Sequence, residues 1–193
     1  MKEIPLFPLP LVLFPGGRLP LQIFEVRYLD MIKSCMRENS GFGVVMLEVG
    51  NEVYNDSLAT IVNQGTYTTI VDFDQFSNGM LGITAEGQSK FLIREKYEQI
   101  DHLLVARVEF FDREEELAFP VDKTHLVKLL KSLMKDERVA GLNYNVDFGS
   151  AGEVVARLVE LLPLPIEEKQ RLFEIKRPLE RLKELDKVIT TLQ

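Results

Sequence analysis

Two stretches of this chain come within a residue of catalytic signatures, and each departs from its motif at one position. Gly82–Ser89 reads GITAEGQS. A phosphate-cradling loop needs G-x-x-x-x-G-K-[ST] opening a helix, with the lysine on the β- and γ-phosphates. Here Gln88 holds the lysine position and the flanks alternate like strands. A β-turn at Glu86-Gly87 is the reading that follows. Phe148–Gly152 reads FGSAG, close to the nucleophile elbow G-x-S-x-G. Phe148 replaces the first glycine, and no run of strand–helix units precedes it. Ser150 fits better as a helix N-cap, three residues before Glu153 in a capping box.

The remaining reactive groups are sparse. His102 and His125 are far apart in sequence and neither sits in a ligand-spaced cluster, so no metal site is expected. The single cysteine, Cys35, excludes an internal disulfide and a CxxC motif. It lies on an apolar helix face, where a buried structural thiol is expected. Asp72 and Asp74 share one face of an alternating strand. They could form an acid–base pair, but a solvated strand edge beside a turn is the simpler reading. Lys128, Lys131 and Lys135 form a basic helical stripe, read as a solvated face opposite leucines. Tyr144 and Phe148 sit in Ala140–Gly149 (AGLNYNVDFG). They either meet a partner or tuck under the helices. No catalytic residue and no cofactor is predicted.

The elements that would position these groups fall into two halves. Ile4–Phe7, Leu11–Phe14 and Leu19–Phe24 read as short strands cut by proline and Gly16-Gly17; prolines confine such strands to edges or bends. Phe42–Glu48, Leu58–Asn63, Gly65–Phe73, Met80–Ala85, Ser89–Glu95 and Leu104–Phe110 continue the β pattern. Asn78-Gly79 signals a hairpin. One helix interrupts, over Glu25–Arg37, with Tyr28, Ile32, Cys35 and Met36 in an apolar stripe; Asn39-Ser40-Gly41 ends it. Past the charge run DREEE at 112–116 the pattern turns helical. Leu126, Leu129, Leu130, Leu133 and Met134 share a face. Val154, Val155, Leu158, Val159 and Leu162 follow the Ser150 cap. Ile166–Glu174 and a helix opened by Pro178 complete a four-helix bundle. The expected domains are 1–117 and 118–193.

Composition narrows the function. The chain has 193 residues, 46% hydrophobic and 27% charged, with net charge −7. Residues 1–117 carry 10 basic and 18 acidic groups, and residues 118–193 carry 13 and 12. The acidic β-rich half opposes a nucleic-acid backbone. The N-terminal MKEIPLFPLPLVLFPGG is too acidic and too proline-broken for a signal peptide. No apolar run nears the ~18 residues of a membrane span. A cytoplasmic protein with a reduced Cys35 is expected.

The segment PLFPLPLVLFPGGRLPLQIFEVRYLDMIKSCM at 5–36 resembles the opening of the Lon protease N-terminal, or substrate-binding, domain family. The likeness continues through Gly41–Met46, through Ile61–Ile70 with its central Gly65-Thr66, and through Gly87-Gln88-Ser89-Lys90-Phe91. It extends less specifically over Leu161–Pro165 and Gln170–Leu182. Val26 stands where stand-alone members commonly carry proline, and Lys90 where arginine is usual. The resemblance implies an α+β chain: a PUA-like β pseudobarrel with one inserted helix, then a helical bundle. It also implies a role in recognising unfolded polypeptide. The family's ATPase and Ser-Lys protease domains would follow such a region, and 193 residues leave no room for them. The expected function is therefore a non-enzymatic module binding exposed apolar polypeptide or a protein partner. A PUA-style RNA binder and an unrecognised hydrolase are the alternatives. The candidate peptide-binding residues are Phe14, Leu19, Leu21, Ile23, Phe24 and Tyr28, joined by Tyr144 and Phe148. Alternation puts Leu19, Leu21 and Ile23 on one strand face and Phe24 on the other. Either these residues are core, or one face forms a shallow groove beside an edge strand that pairs with the peptide.

Overall fold

Prolines and glycines decide where the first half of the chain bends, and alternation decides what each strand buries. A computed structural model describes residues 1–48, 60–75 and 80–191. It divides into two compact units, Met1–Phe111 and Asp112–Gln193. The first holds strands β1 (Lys2–Leu9), β2 (Arg18–Ile23), β3 (Gly41–Leu47), β4 (Ile61–Gln75), β5 (Leu81–Glu98) and β6 (Leu104–Phe110). Helix α1 (Val26–Glu38) lies between β2 and β3. The sheet order is β2-β5-β4-β3-β1-β6, and β5 also pairs with β6. Five strands thus close a ring, and β2 attaches outside it.

Long β5 makes this closure possible. Its first part, Leu81–Glu86, pairs with β2, and its later part, Phe91–Glu98, pairs with β6. β1 likewise changes neighbour midway. Lys2–Pro5 runs antiparallel to β6, and Leu6–Leu9 runs parallel to β3. Parallel neighbours need a crossover, and β2 with α1 supplies it. β3 is buried on both faces, which explains its unbroken apolar run GFGVVML. Val45 joins Ile4, Leu6, Phe91, Ile93, Ala106 and Val108 in one cluster. Phe42 and Val44 join Tyr28, Met31, Ile32 and Cys35 of α1 in another. Gly65 is required by this packing: a Cβ there would fall 2.4 Å from the Val44 carbonyl oxygen and 2.8 Å from the Phe91 ring.

Several sequence expectations change. Leu11–Phe14 is not a strand; it is a buried loop between two prolines, and the Leu13 carbonyl accepts a hydrogen bond from Thr66 Oγ1 at 2.5 Å. Gly65–Phe73 is not separate from the run before it, because β4 continues through Gln64. Gly82–Arg94 is likewise one strand, without a turn at Glu86-Gly87. The chain instead bulges there, with Tyr67 opposite Ser89 and Thr68 opposite Gly87. Gly87 meets the preceding loop closely: its N–H donates to Gly17 O at 2.9 Å, and a Cβ would fall 2.3 Å from Phe14 O. On α1, Met31 is buried and Met36 is 40% exposed, so the stripe is Tyr28, Met31, Ile32 and Cys35. The expected helix stop holds: Asn39 is left-handed at φ 49°, and Ser40 N–H donates to Cys35 O at 2.9 Å. The Asn78-Gly79 turn and residues 58–59 lie outside the described residues.

The second unit is helical: α2 (Thr124–Leu133), the short α3 (Glu137–Ala140), α4 (Ala151–Leu161), α5 (Ile166–Glu174) and α6 (Pro178–Thr191). Ser150 caps α4, its hydroxyl accepting from Glu153 N–H at 3.4 Å. Glu153 does not complete the capping box; its carboxylate accepts from Asp147 N–H at 2.7 Å. Val154, Val155, Leu158 and Val159 are buried, as their spacing requires. Asp186 on α6 accepts from Lys123 Nζ at 2.7 Å and lies 3.3 Å from His125 Nε2. The hydrogen bond from Lys123 lowers the Asp186 pKa against the opposing effect of burial. A depressed carboxylate adds stability above its unfolded pKa and loses it as pH falls through its native value. Asp186→Asn should therefore flatten the acid limb of stability below about pH 4. Urea titrations at pH 7 and pH 3 would check this: wild type should lose more stability between them than the variant does.

Candidate functional site

Edge position and exposure, not catalytic geometry, single out one part of the first unit. The β3–β4 ladder ends at Gly41↔Thr69. Beyond it, among the described residues, Ile70–Gln75 of β4 pairs only with β5. β2 flanks the same part of β5 on the other side. The result is a three-stranded extension, β2-β5-β4, with an edge on each side that no strand among the described residues pairs with. Its cross-strand rows are Leu19–Ala85–Ile70, Leu21–Ile83–Phe73 and Ile23–Leu81–Gln75. Directly opposed residues share a face, so the rows through Ala85 and Ile83 make this face apolar across all three strands. Its inner part is core: Ile23, Ile83 and Ala85 are buried, and Leu19, Leu21, Ile70 and Leu81 pack half-buried against the same cluster. At its outer end Phe73 is 62% exposed, and Phe24, just past β2, is 72% exposed.

The two edges differ chemically. Pro20 removes one N–H from β2, which suits an outermost strand. Ile70–Gln75 contains no proline, so every residue there keeps its donor. Asp72 Oδ1 accepts from Phe73 N–H at 2.9 Å, and Asp72 and Asp74 are both solvent-exposed. They act as a solvated strand edge. Arg18 and Glu86 pair across β2 and β5 at 3.0 Å. Arg27 Nη2 lies 2.7 Å from Glu25, its Nη1 donates to His102 O at 2.9 Å, and its guanidinium lies 4.8 Å from the Tyr28 ring centroid. Arg27 thus ties the first turn of α1 to the β5–β6 turn.

The sequence-derived candidates are dispersed. Phe14, Ile23 and Tyr28 are core side chains, at 1%, 2% and 8% exposure, and present no free surface. Their burial follows from alternation and from the tight loop on Gly87. Leu19 and Leu21 reach the surface in part, and Phe24 fully. Tyr144 and Phe148 belong to the helical unit, both half-buried. Arg157 lies 5.2 Å from the Tyr144 ring and Lys131 lies 4.7 Å from the Phe148 ring. They tuck against helices, and Lys131 of the basic stripe is occupied with them.

Val71 and Phe73 escaped the sequence reading. In VDFDQ the alternation of apolar with acidic residues reads as an inward apolar row. The bulge between Ile70 and Asp72 puts Phe73 opposite Ile83, on the same face as Ile70, and beyond the end of β3 Val71 and Phe73 are 46% and 62% exposed. Two aspartates within four residues of a strand were the available sign that this stretch leaves the barrel. Gln88 is exposed in the middle of β5, not at a helix start, and Ser150 is the N-cap of α4. Among the described residues no group of three or more His, Cys, Asp or Glu is placed to hold a metal. Likewise, no described helix is long and apolar enough to cross a membrane.

Comparison with known proteins bears on the family and the fold. The chain is 25% identical to Lon protease of Anaeromyxobacter dehalogenans (strain 2CP-C) over 178 residues, covering 89% of this chain and 21% of that protein. It is 25% identical to Lon protease 2 of Myxococcus xanthus over 180 residues, covering 90% and 22%. The chain thus spans about a fifth of the length of these relatives. A solved Lon N-terminal domain protein from Xanthomonas campestris superposes with TM-score 0.77 and 29% identity, over 96% of this chain and 97% of that one. The N-terminal domain of the Mycobacterium avium complex Lon protease shares the fold, with TM-score 0.61 and 14% identity over 95% and 96%. The model of the ATP-dependent protease La (LON) substrate-binding domain matches residues 3–191. Matched over nearly its whole length, the chain belongs to the LON substrate-binding domain family.

Proposed function

We propose that this protein is a non-enzymatic recognition module that binds exposed apolar segments of polypeptide on the β2-β5-β4 extension. The observation that carries this reading is the apolar face that runs outward to exposed Phe73 beside an open, proline-free strand edge. An extended peptide can add its backbone to such an edge and seat alternate side chains on the adjoining face. Phe24 and Phe73 supply aromatic surface that is costly to leave in water. The family's substrate-binding description supports polypeptide as the ligand class. Asp72 and Asp74 at the same edge disfavour a phosphate backbone.

Site-specific photocrosslinking tests the location. A photoreactive residue at Val71 should capture an unfolded client peptide. The same residue at Val121, an exposed position in the helical unit, should not. Equal capture at both positions would remove the extension from the reading.

A further inference from the structure

The change of neighbours along β1 opens a second feature of the first unit. Glu3–Pro5 is paired with β6 on one side. On the other side, among the described residues, no strand pairs with it, because the ladder to β3 begins only at Leu6↔Gly43. Helix α1 and the turn between β5 and β6 border that opening and leave a cleft of about 300 Å³. This is the lower end of ligand-pocket sizes, room for a side chain more than for a cofactor.

The cleft is chemically two-sided. Ile4, Met31, Leu103 and Val105 supply an apolar lining. Glu3, Asp30, Glu38 and Asp101 bring four carboxylates to it from three separate elements: β1, α1 and the β5–β6 turn. Among the described residues, no lysine, arginine or histidine lines it. The neighbouring cations stand outside the lining: Lys33 is 3.2 Å from Asp30, Arg37 is 3.5 Å from Glu38, and Arg107 is 3.6 Å from Glu3. These are solvent-exposed pairs, which hold their partners weakly. His102 pairs with Glu98 on the same turn, and Asp101 accepts from Leu103 N–H at 3.1 Å.

We propose that this cleft takes a lysine or arginine side chain of an extended polypeptide. The long methylene stem lies on the apolar lining while the cation meets the carboxylates. Low-dielectric walls beneath one sign of charge focus the potential on that cation. The open edge of Glu3–Pro5 offers backbone groups to the same segment. This names a side chain that favours a client, and it rests on the polypeptide-binding reading above.

The test is fluorescence anisotropy with an apolar peptide carrying one central arginine, and the same peptide with neutral citrulline in its place. The proteins are wild type, the triple variant Glu3→Gln/Asp30→Asn/Glu38→Gln, and Ser34→Trp, which fills the cleft without changing charge. Wild type should prefer arginine by about tenfold, with the preference shrinking as salt rises. Both variants should reduce it to about twofold or less at an unchanged thermal midpoint for the triple variant. Equal affinity of wild type for the two peptides overturns the proposal, as does a preference that survives both variants. Displacement of the arginine peptide by spermidine at matched charge also overturns it, because the site would then read any cation. Citrulline-peptide binding that depends on Phe24 and Phe73 keeps the primary reading alive when this one fails. Failure of both peptides to bind sinks the two together.

Discussion

Replacing Phe14 with serine should cost the first unit about 3–5 kcal/mol, the range for truncating a buried phenylalanine. The Phe24→Ser variant should stay within about 0.5 kcal/mol of wild type. The two residues stand ten positions apart in one apolar stretch, and their sequence neighbourhoods look alike. Their surroundings do not. Phe14 is 1% exposed, and its ring lies 5.1 Å from the Lys90 ammonium, itself only 8% exposed. Its carbonyl accepts from Gly17 N–H at 3.0 Å. Serine there would leave a cavity and remove the ring from a buried cation. Phe24 follows the last residue of an edge strand and is 72% exposed. Urea denaturation of both variants decides the matter. A Phe14→Ser protein as stable as wild type would contradict the loop packing described here.

Arg181→Ala should cost the helical unit about 3–5 kcal/mol, as expected when one partner of a buried ion pair is removed. Arg181 is fully buried. Its Nη1 donates to Glu114 at 3.0 Å, its Nε donates to Leu172 O at 3.0 Å, and Nη2 reaches Ile175 O. One guanidinium therefore satisfies the two carbonyls where α5 ends and anchors the acidic run at 112–116. Alanine would remove the donor from all three acceptors, although Leu172 O also accepts from Ile175 N–H at 3.3 Å and Glu114 is partly exposed. The Arg177 side chain, just before α6, is 80% exposed and pairs with Glu180 in the first turn of that helix. Arg177→Ala should accordingly change stability by less than about 1 kcal/mol. Thermal and urea unfolding of the two variants side by side would check the contrast. Similar small losses in both would mean that the Glu114–Arg181 pair contributes little net stability.

Much of this architecture was legible from residue order. The α1 span and its Asn39 stop followed from apolar spacing and a residue tolerant of left-handed backbone. Leu104–Phe110 and Ile166–Glu174 match their elements at both ends. The breaks in the reading have a common cause: partner exchange along long strands. Glycine at position 87 reads locally as a turn, yet it serves close backbone contact in a strand that continues. Leu11–Phe14 has strand composition, but two flanking prolines and a hydroxyl from Thr66 satisfy it as a buried loop. The candidate surface was only partly visible for the same reason. Whether an apolar residue on β2 or β4 is core depends on where β3 ends, which is a property of the register and not of the residue. Alternation separated Phe24 from Leu19, Leu21 and Ile23 but left open which face was core. Phe73 required knowledge of the bulge before it.

The central claim is that apolar polypeptide binds on the β2-β5-β4 extension through Phe24 and Phe73. An anisotropy titration of a labelled, unfolded apolar peptide against wild type and Phe24→Ser/Phe73→Ser tests it most directly. Burying a phenylalanine contributes about 1.5–3 kcal/mol, and each 1.4 kcal/mol is tenfold in affinity. The double variant should therefore bind at least about tenfold more weakly while melting at the wild-type temperature. Unchanged affinity in a fully folded double variant would contradict the account.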